Sequence, residues 1–124
     1  MKQPNIITMC GSTRFKNEYL ESTKWLTLTN NIIISVGLFG HSDGDNLTID
    51  EKTMLDNLHF RKIDLCNEIF IIDVDGYIGN STKNEIEYAT KNGKNIRYLS
   101  KEIDSLEKWK NEYYNRKNLE EWNK

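Results

Sequence analysis

The chain is poor in the residues that build linkers, disulfide frameworks and metal clusters. It holds 1 proline, with no internal repeat or low-complexity tract, so nothing in its 124 residues reads as a linker and one domain over 1–124 is expected. Its 2 cysteines, Cys10 and Cys66, form no C-x-x-C pair. Its 2 histidines, His41 and His59, give no zinc-ligand spacing, so neither a metal nor a cofactor is expected. Both cysteines sit beside apolar, strand-like segments and read as buried, reduced thiols of a cytoplasmic protein. There is no excess of positive charge: Lys+Arg is 17 against Asp+Glu 19, a net charge of -2. That argues against a nucleic-acid polymer as partner, although a single nucleotide would need only a local pocket. No apolar run approaches membrane-spanning length and no signal segment is expected, so no membrane partner is expected either.

What is present is an alternation of short apolar runs and helical patterns. Asn5 to Met9 reads as a strand after Pro4, and Thr13 to Thr29 as a helix with Phe15, Tyr19, Leu20, Thr23 and Leu26 on one face. Ile32 to Val36 is a second, β-branched strand, followed by a loop from Gly37 to Asn46. Thr48 and Glu51 form a capping box. They open a helix to about Leu65, with Met54, Leu55, Leu58 and Leu65 expected inward. Glu68 to Val74 is the third strand, and Asp75 to Asn80 a turn. Thr82 and Glu85 match a second capping box, whose helix ends before Gly93. Ile96 to Leu99 is the fourth strand. A polar helix from Ser105 to about Trp122 carries Leu106, Trp109, Tyr113, Tyr114, Leu119 and Trp122 as docking or subunit contacts.

Strands buried on both faces and alternating with helices predict an α/β fold. The expected form is a Rossmann-like (flavodoxin-like) doubly wound parallel sheet of four to five strands in the order 2-1-3-4. In that order the winding reverses between strands 1 and 3, and their carboxyl ends flank a crevice where ligands bind.

Two loops should meet there. Gly11, Ser12, Thr13 and Arg14 follow strand 1: a glycine for close approach, hydroxyls, a helix N-terminus and a guanidinium suited to phosphate. Gly76, Gly79, Asn80, Ser81 and Thr82 repeat the design after strand 3. Read as ordinary local structure, the same residues are helix caps and solvated charges. Glu85 by itself is best read as the acidic partner of the Thr82 capping box. Asp73 and Asp75 flank the end of strand 3 and either face the crevice or simply end the strand. His41 emerges at the same edge, next to an unusually apolar segment, Gly37 to Gly40, of the kind that stacks on a base or on a second copy. Lys83 and Lys91 read as solvated helix charges.

The strand followed by Gly11-Ser12-Thr13-Arg14, with a later segment from Gly79 to Ala89 carrying Glu85 near its helix start, resembles the nucleoside 2-deoxyribosyltransferase-like family. That family includes 2′-deoxynucleoside 5′-monophosphate N-glycosidases. The resemblance covers roughly residues 5 to 99. It implies that Glu85 attacks the anomeric carbon of a deoxyribose and expels the base, with Ala89 matching the small residue that follows the family's Glu. It places a 5′-phosphate against Gly11, Ser12 and Arg14, aided by Gly79, Ser81 and Thr82; Thr13, His41 and Asp75, by their place at the crevice, are expected as further substrate contacts. A family glycine is replaced by Glu87, which leaves the choice between Glu85 and Glu87 open. For the residue that handles the base, His59 is the first candidate; Phe60, Asp56 and Asp64 lie nearby. The expected activity is deoxynucleotide N-glycosidase. The alternatives are base exchange, or a non-catalytic nucleotide-binding module using the same crevice. A homodimer or larger homo-oligomer is expected.

Overall fold

The computed structural model describes residues 2–116. Leu119 and Trp122, expected to dock, lie outside the described residues. The chain runs β1 (Asn5–Gly11), α1 (Lys16–Leu28), β2 (Asn31–Ile34), a one-turn α2 (Gly40–Asp43) and α3 (Ile49–Asp64). It continues through β3 (Glu68–Ile72), a 3-10 turn (Val74–Gly76), α4 (Asn80–Lys91), β4 (Asn95–Tyr98) and α5 (Leu99–Asn115). The four strands form one all-parallel sheet in the order β2-β1-β3-β4. This is the doubly wound sheet that the alternation predicts.

Side-chain alternation along the strands sorts the core into two layers. Ile7 and Met9 of β1, with Phe70 and Ile72 of β3, pack under Tyr19, Trp25 and Leu26 of α1 and Leu99 and Leu106 of α5. Cys10, Ile69 and Ile71 point to the other face, against Ile63 of α3 and Ala89 of α4. Trp109 packs on the first layer and stacks with Tyr113 at 4.9 Å. Lys24 of α1 donates to the Tyr114 hydroxyl at 3.2 Å, so these aromatics dock α5 onto its own chain. Among the described residues no helix is long and apolar enough to cross a membrane.

Four helices depart from the sequence reading: α1 starts at Lys16 rather than Thr13 and leaves Leu20 exposed, and the other three depart for local reasons. α3 has the expected capping box, Thr48 accepting from the Glu51 amide at 3.1 Å. Its inner face is different: Met54, Leu58 and Leu65 are exposed, while Ile63 is buried and His59 faces in. α4 has no second capping box. Gly79, in extended conformation, is the N-cap, so the helix starts early, Thr82 is buried within it, and Glu85 lies beyond the capping turn. α5 begins at Leu99 directly after β4, because Asp73 accepts from both the Ser100 amide (2.8 Å) and the Ser100 hydroxyl (2.6 Å).

β1 also runs two residues further than the apolar pattern suggests, to Gly11. Gly11 sits at φ +128°, and a Cβ there would come within 2.8 Å of the Ile72 carbonyl oxygen. Only glycine lets β1 and β3 end this close together. Gly11→Ala is expected to destabilise the protein by at least about 2 kcal/mol through clash and backbone strain. Gly44→Ala, at φ +69° with open space around it, should cost only about 1 kcal/mol. Urea denaturation of the two variants checks the order; equal costs would mean that the β1–β3 approach is not tight.

Candidate functional site

A cavity of about 520 Å³ opens at the carboxyl end of the sheet, over the gap between β1 and β3. That is the volume range of a small-molecule site. Gly11, Ser12, Thr13 and Arg14 form one wall, and Gly79, Ser81, Thr82 and Glu85 another. His41 and His59 complete the ring. Every site residue named from the sequence lines this space except Asp75, which is exposed in the turn after β3 at φ 52°. Asp73 is likewise outside it, buried and capping α5.

One end of the cavity presents backbone amides and one guanidinium, donors suited to an anion. In α4 the first intrahelical bond is Lys83 N–H to the Gly79 carbonyl, 3.0 Å. The amides of Asn80, Ser81 and Thr82 precede that bond, and their N-cap is a glycine with no side chain to satisfy them. They carry the positive end of the helix dipole to the cavity wall. Opposite, Arg14 Nε donates to Ser12 Oγ at 3.0 Å, and its guanidinium lies 4.7 Å from the centroid of the Tyr77 ring. Arg14 is therefore held from two sides before any ligand arrives. The loop itself is tied down: Tyr19 donates its hydroxyl proton to the Gly11 carbonyl at 2.6 Å, and Thr13 Oγ1 accepts from the His41 amide at 3.2 Å. Lys16 bridges to Asp43 at 2.9 Å, holding α2 near the same wall.

At the floor of the cavity, Glu85 Oε1 lies 3.4 Å from His59 Nε2, and the same nitrogen lies 3.2 Å from Cys10 Sγ. Both contacts fall on one ring nitrogen. A Cys–His–carboxylate triad needs the two nitrogens separately, one for the nucleophile and one for the acid, so this arrangement is not one. Burial holds Glu85 up at about 7, with the Cys10 hydrogen bond opposing and the Asp56 charge adding to the rise. Burial and then the neighbouring Lys62 charge push His59 down to about 4, so its imidazole is neutral near pH 7. The 3.4 Å approach is thus a close contact between the carboxyl group and a neutral ring rather than an ion pair. The Cys10 thiol is held well above its ordinary value by burial and then by Glu85. Its single proton has two competing acceptors, the imidazole and the carboxylate.

Glu87 is 66% exposed along its side chain and pairs with Lys91 at 3.2 Å on the outside of α4. Of the two glutamates, Glu85 is the one in the cleft. Asp64 pairs with Arg61 at 3.2 Å and accepts from Tyr88, and Phe60 packs on Tyr88, so neither reaches the cavity. Asp56 does line it. The sequence reading missed Cys10 as a contact of the floor, Tyr77 as the platform for Arg14, and Lys52 and Lys62 as cations of the wall. Tyr77 was within reach, because it sits in the loop already singled out. Cys10 and His59 are 49 residues apart, and nothing local couples them.

The raised Glu85 has a consequence for stability. Its folded value, about 7, exceeds the ordinary 4.5, so its contribution is intact below 4.5 and is lost as pH rises through 7. Glu85→Gln removes this titration. Relative to wild type, the variant should gain about 2–3 kcal/mol between pH 5 and pH 8. Urea denaturation at the two pH values, with a chelator present, reads the difference; parallel behaviour at both would mean that Glu85 is not desolvated. No family model, curated protein or solved structure matches the chain.

Proposed function

We propose that the protein is an N-glycosidase that cleaves the base–deoxyribose bond of a 2′-deoxynucleoside 5′-monophosphate. The observation that carries this reading is the position of Glu85. It is free of any capping duty and turned into a cavity whose other end is built to hold an anion. A carboxylate buried at the floor and a phosphate site at the rim suit a substrate with a reactive carbon a few bonds from a phosphate. The C1′ and 5′-phosphate of a deoxynucleotide have that relation.

In this mechanism the phosphate rests on the Asn80, Ser81 and Thr82 amides and on Arg14. One Glu85 oxygen attacks C1′. The C1′–O bond forms as the C1′–N bond breaks through an oxocarbenium-like transition state, and the base leaves with the bonding pair and takes up a proton. Water then adds at C1′, releasing the Glu85 carboxylate and giving the sugar phosphate. His59, neutral at the working pH, positions Glu85 through its 3.4 Å contact. That reassigns it from proton donor to positioning residue, and leaves Asp56 on the cavity wall to exchange the proton with the base.

Purified protein incubated with each deoxynucleoside and its 5′-monophosphate should release free base from the monophosphates. Glu85→Gln should lower the rate by about 10³-fold or more. Arg14→Gln should raise KM for the monophosphate by about 10–100-fold, the worth of a charge-assisted hydrogen bond, and leave any nucleoside activity unchanged. Base release that survives Glu85→Gln would remove Glu85 from the chemistry. Nucleotide binding by both proteins without base release would make the cleft a binding module.

A further inference from the structure

We propose that Cys10, His59 and Glu85 form a three-ligand site for a zinc-class divalent cation at the cavity floor, and that its occupation takes Glu85 out of action. The second half rests on the glycosidase reading; the first does not.

Three elements supply three donor types. Cys10 Sγ comes from β1, His59 Nε2 from α3 and a Glu85 carboxylate oxygen from α4, all within 4.8 Å of one another. Among the described residues no other trio of His, Cys, Asp and Glu side chains meets that condition. The two close pairs are separated by 3.2 and 3.4 Å. Zinc bonds of about 2.3 Å to sulfur and about 2.0–2.1 Å to nitrogen or oxygen give tetrahedral ligand–ligand edges of about 3.4–3.6 Å. Two of the three donor pairs therefore already stand close to the spacing that a tetrahedral ion imposes, and the third lies within 4.8 Å.

The donor set also selects the ion. Thiolate and imidazole favour zinc over magnesium and calcium, which prefer an all-oxygen shell. Three protein ligands leave a fourth position, and it faces the cavity, because His59 and Glu85 both line it. Cys10 is fully buried and has no part in the glycosidase steps. A thiol in that place is costly to ionise on its own; a bound cation supplies the opposite charge and expels the proton to solvent. A Glu85 carboxylate bonded to the ion has its negative charge drawn to the cation and its orientation fixed at the floor, so its attack on C1′ is suppressed and an occupied site is silent.

The test uses the full chain, freed of metal and then titrated. Cobalt(II) is the optical probe and zinc the competitor. Wild type should bind one cobalt ion with a thiolate-to-cobalt charge-transfer band in the near ultraviolet, which zinc displaces. Cys10→Ser keeps the side-chain size, should abolish the band, and should weaken zinc by more than the about 10–100-fold that loss of an outer partner costs. Glu85→Gln should weaken it independently. If Cys10→Ser fails to fold, mass spectrometry of cysteine alkylation with and without zinc reads the same ligand, because zinc should protect Cys10 during partial denaturation. Absence of the band in folded wild type, or zinc binding unaffected by both substitutions, would overturn the site. Zinc should suppress base release in wild type and do so much more weakly in Cys10→Ser. A zinc site in a protein that releases no base would overturn the glycosidase reading and leave the metal site standing. Undiminished base release with zinc bound would overturn the silencing.

Discussion

The closeness of β1 and β3 at their carboxyl ends is the constraint on which the rest depends. Parallel strands with right-handed crossovers send α1 and α5 to one face of the sheet and α3 and α4 to the other. The gap between the two windings opens above Gly11 and Ile72, the last pair in the β1–β3 register. Because Gly11 has no side chain, the loop that follows β1 starts from the plane of the sheet and stays beside the start of α4. The Tyr19 hydroxyl then pins the Gly11 carbonyl. With a bulkier residue the two loops that flank the crevice would be pushed apart by the clash at the Ile72 carbonyl.

Period-two alternation carries that constraint to the chemistry. Ile7 and Met9 face α1, so Cys10 must face α3 and α4. The floor of the cavity is therefore the place where a β1 side chain meets inward positions of two helices. His59 comes down from α3 one turn before Ile63, the buried residue that anchors that helix. Glu85 comes from α4 one turn before the buried Ala89, whose small side chain lets the helix lie close to the sheet. Each polar group is thus held by an apolar neighbour four positions on, which fixes its direction without a dedicated hydrogen-bond network.

The same geometry explains what could be read in the chain and what could not. The succession of strands and helices was legible because the apolar runs and the Thr48 capping box are local signals. The inner face of α3 was not: Met54, Leu58 and Leu65 look like an inward stripe, but α3 borders an open cleft that Leu58 lines, Met54 and Leu65 are left exposed, and tertiary structure overrode the pattern. Thr82 and Glu85 matched a capping box in spacing, yet Gly79 could start the helix earlier, and an N-cap is decided by backbone conformation that spacing does not record. The two loops that line the crevice were legible as glycine and hydroxyl clusters placed after strands. Their meeting depended on the strand order, a fold-level inference, and that inference held. Which glutamate enters the cleft was decided by helix phase: Glu87 lies two residues beyond Glu85, about 200° around the axis, and so faces solvent.

Burial at the cavity floor pulls stability and reactivity in opposite directions. A carboxylate with its ordinary affinity for protons would be well solvated, easy to fold around and a weak nucleophile. Desolvation raises Glu85 to about 7, and the neutral His59 beside it offers no compensating positive charge. The folded state therefore holds an anion poorly stabilised until something positive or electrophilic arrives. On the proposed readings, two kinds of partner would meet that need. One is the electron-poor anomeric carbon of a bound sugar, on the path to a covalent ester. The other is a cation, which also draws out the buried Cys10 thiolate. A polar floor lined by hydrogen-bonded serines would bind the same nucleotides without either capacity. On the two proposals, the desolvation of one carboxylate suits Glu85 both to attack and, with Cys10 and His59, to chelation, and the two uses exclude each other.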